Sequence, residues 1–207
     1  MDKLCAIISG GEYSPMTDIG ECAYVIACDR GYEYARRAGV TPDLILGDFD
    51  SYSGALPEGV AVLRLPTEKD DTDTMSAMRR ALDAGYRRIR VYCALGGRLD
   101  HLMANLQCAA FAARQGARVT LYGAEAEIHV LSGGTLTLAP REGYALSVLA
   151  LSDAVRGVYI RGAKYALEDA TLTNFFPLGA SNEWRGTAQI TIGAGVAAVM
   201  LCRMPPK

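Results

Sequence analysis

Short apolar runs and helical segments closed by glycine alternate through the first 123 residues, and then the alternation stops. Residues 4–9, 23–28, 44–46, 60–65, 89–94 and 119–122 read as strands. Between them, 30–38 reads as a helix ending at Gly39. Residues 72–84 carry Met75, Met78 and Leu82 at helical spacing and end at Gly85, and 102–115 is an Ala-rich helix ending at Gly116. Strands that take turns with helices predict a mainly parallel sheet covered by helices. After Glu127 the helical period is gone. Residues 128–131, 135–138, 145–150, 158–161, 170–175, 188–192 and 196–202 are short β-type runs punctuated by Gly, Pro, Asp and Asn, the pattern of an antiparallel sandwich. The expected fold class is therefore α/β: an N-terminal domain over 1–124 with a mainly parallel sheet flanked by helices, then a C-terminal antiparallel β-sandwich domain over 125–207.

Composition narrows the functional classes. The 21 Lys+Arg nearly balance the 23 Asp+Glu, for a net charge of -2, which excludes a nucleic-acid binder held by phosphate neutralisation alone. With 50% hydrophobic and 21% charged residues, the chain is not of the disordered class. No run approaches the ~18 apolar residues of a membrane span, and the first nine residues are too short and too acidic for a signal peptide. The six cysteines form no C-x-x-C pair. They read as reduced thiols of a cytoplasmic protein.

The aspartates are unevenly placed. Of 13, seven fall between Asp29 and Asp73, and Asp100 follows soon after. Asp29 directly follows the second strand, and Gly47-Asp48-Phe49-Asp50-Ser51 follows the third. Lys69-Asp70-Asp71-Thr72-Asp73 opens one helix, and Gly96-Gly97-Arg98-Leu99-Asp100-His101 opens another. In a parallel sheet all strand C-termini share one edge, and ligands bind there. Four loops thus bring carboxylates, glycines, Lys69 and Arg98 to one place. Gathered carboxylates repel each other unless a cation sits among them, and hard oxygen donors suit Mg²⁺ held together with substrate phosphates. Taken singly, each Asp also reads as a cap or turn former; Asp71 and Thr72 could cap their helix, and Asp43 follows Pro42 in a turn. The pairs Gly10-Gly11 and Gly96-Gly97 follow strands, where bare backbone can approach phosphate oxygens, although neither forms a dinucleotide fingerprint or a Walker A loop.

The segments CDRG (28–31), PDLILGDFDS (42–51), KDDTD (69–73), LGGRLDHLMAN (95–105), GAKYAL (162–167) and SNE (181–183), in this order, resemble the thiamine pyrophosphokinase (thiamine diphosphokinase) family. The resemblance implies transfer of a pyrophosphoryl group from ATP to thiamine with Mg²⁺, giving AMP and thiamine diphosphate. It also implies a homodimer with the site at the subunit interface. Carried over by position, Asp48, Asp50 and Asp73 are the expected metal ligands and, with Arg98, the expected catalytic residues. Asp29, Lys69, Thr72, Arg98, Asp100, His101 and Asn105 are expected on the ATP side. Ser181, Asn182 and Trp184 are expected on the thiamine side, the indole suiting a flat cation. The loop 12–20 matches no motif of the family. The alternatives are a pyrophosphokinase acting on another hydroxymethyl heterocycle such as a pterin, a phosphohydrolase with Asp48 or Asp50 as nucleophile, and a non-catalytic thiamine or nucleotide sensor.

Overall fold

The computed structural model of the chain describes residues 3–49, 52, 54–68 and 70–205. It divides into two compact units, one of residues 1–112 with 119–124 and the other of residues 113–118 with 125–207.

In the first unit the strands β1 (Leu4–Ile8), β2 (Tyr24–Cys28), β3 (Leu44–Gly47), β4 (Ala61–Arg64), β5 (Arg88–Tyr92) and β6 (Arg118–Tyr122) lie in the order β4-β3-β2-β1-β5-β6. β1 pairs in parallel with both β2 and β5, β2 with β3, and β3 with β4. The sequence LCAII of β1 is buried at every position, as a central strand covered on both faces requires. Helices α1 (Gly31–Arg37) and α2 (Asp73–Asp83) pack against β1 to supply that cover, and α3 (Leu99–Arg114) follows β5. From β1 the chain moves out through β2, β3 and β4, then returns past β1 to β5. Right-handed crossovers taken in opposite directions put α1 and α2 on opposite faces. One face holds Ala6, Ile8, Ala27, Tyr32, Tyr34, Ala35 and Tyr92 in a continuous core. The direction of winding reverses between β1 and β5, and that reversal opens a crevice at the strand C-termini.

The helices follow the predicted pattern with two adjustments. On α2 the buried stripe is Thr74, Ala77, Met78, Ala81 and Leu82, so Met75 stands at its margin. The Thr72 hydroxyl caps this helix by accepting from the Met75 amide at 3.1 Å. Helix α3 begins at Leu99, three residues before the apolar pattern becomes visible. The polar start is held by Asp100, which accepts from the His101 amide (2.9 Å) and pairs with Arg98, an acidic group where the helix dipole favours one.

The second unit is the antiparallel sandwich. Strands β7 (Ala126–Leu131), β13 (Ala197–Arg203) and β9 (Tyr144–Ala150) form one layer in the order β7-β13-β9. The other layer is β11 (Leu167–Thr173), β10 (Ala154–Ala163), β12 (Trp184–Ile192) and β8 (Gly134–Leu138), in that order. Leu131, Leu146, Val148 and Val199 of the first layer meet Val155, Val158, Ile160, Leu172 and Ile190 of the second. β10 runs longer than the expected 158–161. Gly157 and Gly162, which resemble strand ends, sit at positive φ where the pairing register shifts, so they are bulges inside one strand. A Cβ at Gly162 would collide with the Thr187 carbonyl.

Candidate active site

Three of the acids come together. Asp29 directly follows β2, Asp48 directly follows β3, and Asp73 is the first residue of α2. One carboxylate oxygen from each lies within 4.8 Å of the others. Asp29 is buried and has a left-handed backbone (φ 44°), which Asp tolerates better than most residues. Its amide donates to the Leu46 carbonyl at 2.8 Å, and its carbonyl accepts from Tyr32 at the start of α1. Gly47 permits this conformation, because a Cβ there would stand 3.0 Å from the Asp29 Cβ. Three carboxylates gathered this closely repel one another unless a cation sits among them. The donor set is all hard oxygen, the class that Mg²⁺ prefers.

Beside the cluster is a cleft of about 710 Å³ at the β1–β5 reversal. Ser9, Gly10 and Gly11 line it after β1, Asp29 and Arg30 after β2, Thr72, Asp73 and Thr74 at the head of α2, and Gly96, Gly97 and Arg98 after β5. Its walls are tied together. The Ser9 and Thr74 hydroxyls share a buried hydrogen bond of 2.8 Å. The Gly11 amide donates to the Cys93 carbonyl at 3.0 Å, where a Cβ would come within 2.6 Å of that oxygen. Gly96 and Gly97 both have left-handed backbones (φ 83° and 71°), which open the turn into α3 at little cost.

The structure distributes the sequence-derived candidates as follows. Asp48 and Asp73 meet, with Asp29 as their third member; Asp29 was expected on the nucleotide side. Asp50 and Lys69 lie outside the described residues. Thr72, Arg98, His101 and Asn105 line the cleft. The buried Asn105 also donates its amide to the Ala94 carbonyl at 2.8 Å, fastening α3 to the loop after β5. Asp100 is exposed and turned toward Arg98, which it meets at 2.6 Å. That hydrogen bond lowers the Asp100 pKa and raises that of Arg98. Asp71 pairs with Arg79 at 2.9 Å. Asp43 accepts from the Val25 amide at 2.7 Å, the turn role its position after Pro42 suggests. Ser9, Glu12, Tyr13, Arg30, Tyr34 and Arg37 also line the cleft; Arg30 lies in the CDRG segment (28–31) without a role assigned to it, and no motif pointed to the others. The available signal was the spacing of Arg30, Tyr34 and Arg37, which puts them on one stripe of a helix.

The three thiamine-side candidates belong to the second unit. Ser181 is exposed with a left-handed backbone (φ 54°), and its amide donates to the Ser147 hydroxyl. Asn182 is buried and clamps its own loop. Its carbonyl oxygen accepts from the Tyr165 and Glu183 amides (2.9 and 3.0 Å), and its amide donates to the Tyr165 carbonyl at 2.8 Å. Trp184 opens β12 and packs on the sandwich core, with its indole N–H on the Tyr144 carbonyl at 2.7 Å.

Comparison with known proteins agrees with this architecture. Residues 18–121 match the family described as "Thiamin pyrophosphokinase, catalytic domain". Residues 134–197 match the one described as "Thiamin pyrophosphokinase, vitamin B1 binding domain". A protein of Bacillus subtilis (strain 168) named thiamine pyrophosphokinase is 26% identical over 204 residues, covering 92% of this chain and 95% of its own. The crystal structure of a thiamin pyrophosphokinase family protein from Enterococcus faecalis is 28% identical with a TM-score of 0.80, covering 98% of this chain and all of the other. That of thiamine pyrophosphokinase from Bacillus subtilis has a TM-score of 0.83 at 24% identity, covering 99% of this chain and 100% of the other, and supports the fold. With two successive family matches that together span most of its length, the chain belongs to the thiamin pyrophosphokinase family.

Proposed function

We propose that this chain transfers the pyrophosphoryl group of ATP to the primary hydroxyl of thiamine, releasing AMP and thiamine diphosphate. A bond forms between the thiamine oxygen and the β-phosphorus. The bond from that phosphorus to the oxygen bridging the α-phosphate breaks, and the hydroxyl proton is released. The observation that carries the reading is the meeting of Asp29, Asp48 and Asp73, from three separate loops, beside a glycine-lined cleft. These carboxylates fit a hard divalent cation, for which Mg²⁺ is the proposed occupant; Asp50 is proposed as a further ligand on the resemblance. When bound, such an ion neutralises phosphate charge and polarises the bond to be broken. The residues of the chain do the positioning. Arg98 and Lys69 supply fixed positive charge. Thr72, Asp100, His101 and Asn105 are assigned to the nucleotide side, and Ser181, Asn182 and Trp184 to the thiamine side. Reactions of this kind depend on alignment and charge neutralisation more than on covalent participation of the protein.

We assign ATP and metal binding to the first domain (1–124), and thiamine binding and dimerisation to the second (125–207). The proposed homodimer brings the thiamine-side residues of one copy to the phosphate cleft of the other. It is supported by the exposure of Phe175, Phe176 and Leu178, apolar side chains that a partner would cover. Among the described residues no helix is long and apolar enough to cross a membrane. The six free cysteines support a cytoplasmic setting.

The test is AMP formation from ATP and thiamine, with Mg²⁺ and with EDTA, alongside a hydroxymethyl pterin as competing acceptor. Thiamine- and metal-dependent AMP is the expected result. AMP formed only with the pterin, or inorganic phosphate released without thiamine, would overturn the proposal. Nothing in the comparisons favours the pterin reading.

A further inference from the structure

One stripe of α1 faces the cleft with side chains that the mechanism above does not use. Arg30, the N-cap residue of α1, is followed four and seven positions later by Tyr34 and Arg37 on that stripe, and all three line the cleft together with Tyr13 from the loop after β1. The guanidinium carbon of Arg37 lies 4.0 Å from the centre of the Tyr13 ring, and that of Arg30 lies 5.4 Å from the centre of Tyr34. The two rings meet edge to face at 5.5 Å and 68°. Tyr34 is anchored in turn, donating its hydroxyl hydrogen to the Gly11 carbonyl at 2.8 Å. Both arginines act on that one phenol: burial holds its pKa above the ordinary value, and their charges only partly oppose that rise.

An arginine stacked on an aromatic ring is oriented before any ligand arrives, so less freedom is lost when it forms hydrogen bonds. Among the described residues the arginine–carboxylate pairs involve Arg79, Arg90, Arg98, Arg141 and Arg203. Arg30 and Arg37 are in none of them. The cleft therefore holds two pre-oriented guanidiniums with unused donors, next to a cluster of acids suited to a cation. Charge of both signs in one cleft matches a metal-bound polyphosphate, where the acids take the metal and the arginines take the phosphate oxygens. A bare carboxylate or a neutral ligand would leave the acid cluster uncompensated.

We propose that Arg30 and Arg37, oriented by Tyr34 and Tyr13, form a second phosphate-binding wall in addition to Arg98, and that they set the affinity for the triphosphate chain of the nucleotide. This rests on the pyrophosphokinase reading for the identity of the substrate, but the anion site is tested separately. The arginines act on binding and not on bond breaking, so their loss raises the ATP KM more than it lowers kcat.

Arg30→Gln and Arg37→Gln are compared with Arg36→Gln, which alters an exposed arginine of the same helix outside the cleft. Steady-state kinetics are run against ATP and against thiamine, and calorimetric titration uses inorganic tripolyphosphate with Mg²⁺. A charge-assisted hydrogen bond is worth ~1.5–3 kcal/mol, so each cleft variant should raise the ATP KM and the tripolyphosphate Kd by roughly 10- to 100-fold. The thiamine KM, kcat and the melting temperature should stay near wild type, Arg36→Gln should be silent, and Arg37→Lys should restore part of the affinity. An ATP KM changed by less than about threefold in both cleft variants would overturn the proposal. So would a loss confined to ATP with tripolyphosphate binding intact, since the contact would then be to base or ribose. If the wild-type protein makes no thiamine diphosphate, the pyrophosphokinase reading fails, while the tripolyphosphate titration still decides the arginine wall.

Discussion

Replacing Asp48 by Asn should make the metal-free protein more stable while removing its function. The three clustered carboxylate oxygens lie within 4.8 Å of one another. At that separation and an effective dielectric constant of ~20, two unit charges repel by roughly 3.5 kcal/mol. Asp48 takes part in two such pairs, so neutralising it relieves on the order of 7 kcal/mol of repulsion before any further screening by solvent. Asp48 and Asp73 are only partly buried, and the carboxylate gives up its own favourable contacts. A net gain of ~1–3 kcal/mol is what survives that discount, a rise of a few degrees in melting temperature for a chain of this size. The assay is thermal unfolding in EDTA and again in saturating Mg²⁺. Wild type should be stabilised by Mg²⁺ by ~2.7 kcal/mol at a hundredfold excess over Kd, and the variant by much less. AMP formation by Asp48→Asn should fall by at least ~100-fold, the scale of losing a charge-stabilising group. If the variant melts below wild type in EDTA, or gains as much from Mg²⁺, the three acids do not form a cation site.

Other outcomes follow from single contacts. Gly31→Ala places a Cβ against the Ile8 carbonyl at the head of α1; it should cost ~1–3 kcal/mol by overpacking, read by urea unfolding, and should weaken nucleotide binding because α1 lines the cleft. Asn182→Ala strips three hydrogen bonds from the 165 and 181–183 segments; it should cost ~2–3 kcal/mol and raise the thiamine KM, and unchanged stability would show that the clamp is not needed. Glu127 has its carboxyl held below the usual carboxylate range, first by the hydrogen bond to His129 and then by the charges of His129 and Arg141, with burial opposing them. A depressed pKa stabilises the fold above the ordinary carboxylate range and is lost as pH falls through the folded value. The melting-temperature gap between wild type and Glu127→Gln should thus be widest near neutrality and close in acid.

The alternation of periods was enough to place the strands of both units to within a few residues, because burial on a sheet or helix imposes those periods directly. Where the reading slipped, a local contact outweighed the pattern. The first turn of α3 leaves Leu99, Asp100 and His101 exposed, so it carries no buried apolar stripe for the period to reveal, and Asp100 bonds there to the His101 amide and to Arg98. Gly157 and Gly162 punctuate the sequence as turns would, yet the chain passes through them as bulges in a single strand. In the site, strand ends were the informative coordinate: Asp48 and Asp73 were legible as partners because each follows a strand or opens a helix. Asp29 satisfied the same rule, but a single acid after a strand also reads as a turn, and only the Gly47 approach shows why it reaches the cluster. Arg30 lay inside the CDRG segment without a role of its own, and Tyr34 and Arg37 were not singled out because their stripe is amphipathic without being apolar. Asn182 was visible as a polar residue in a motif, while its three local hydrogen bonds depend on a loop closure that spacing does not encode.

The acids at 29 and 48 each occupy the first position beyond adjacent parallel strands, so the distance between them is inherited from the ladder of β2 on β3, whose neighbours sit ~4.8 Å apart. Connections elsewhere can lengthen or shorten over evolutionary time without changing the spacing of these two carboxylates. A slipped register in that one ladder would detune it at once, which makes strand pairing, and not loop design, the feature an engineer of this scaffold would have to leave alone.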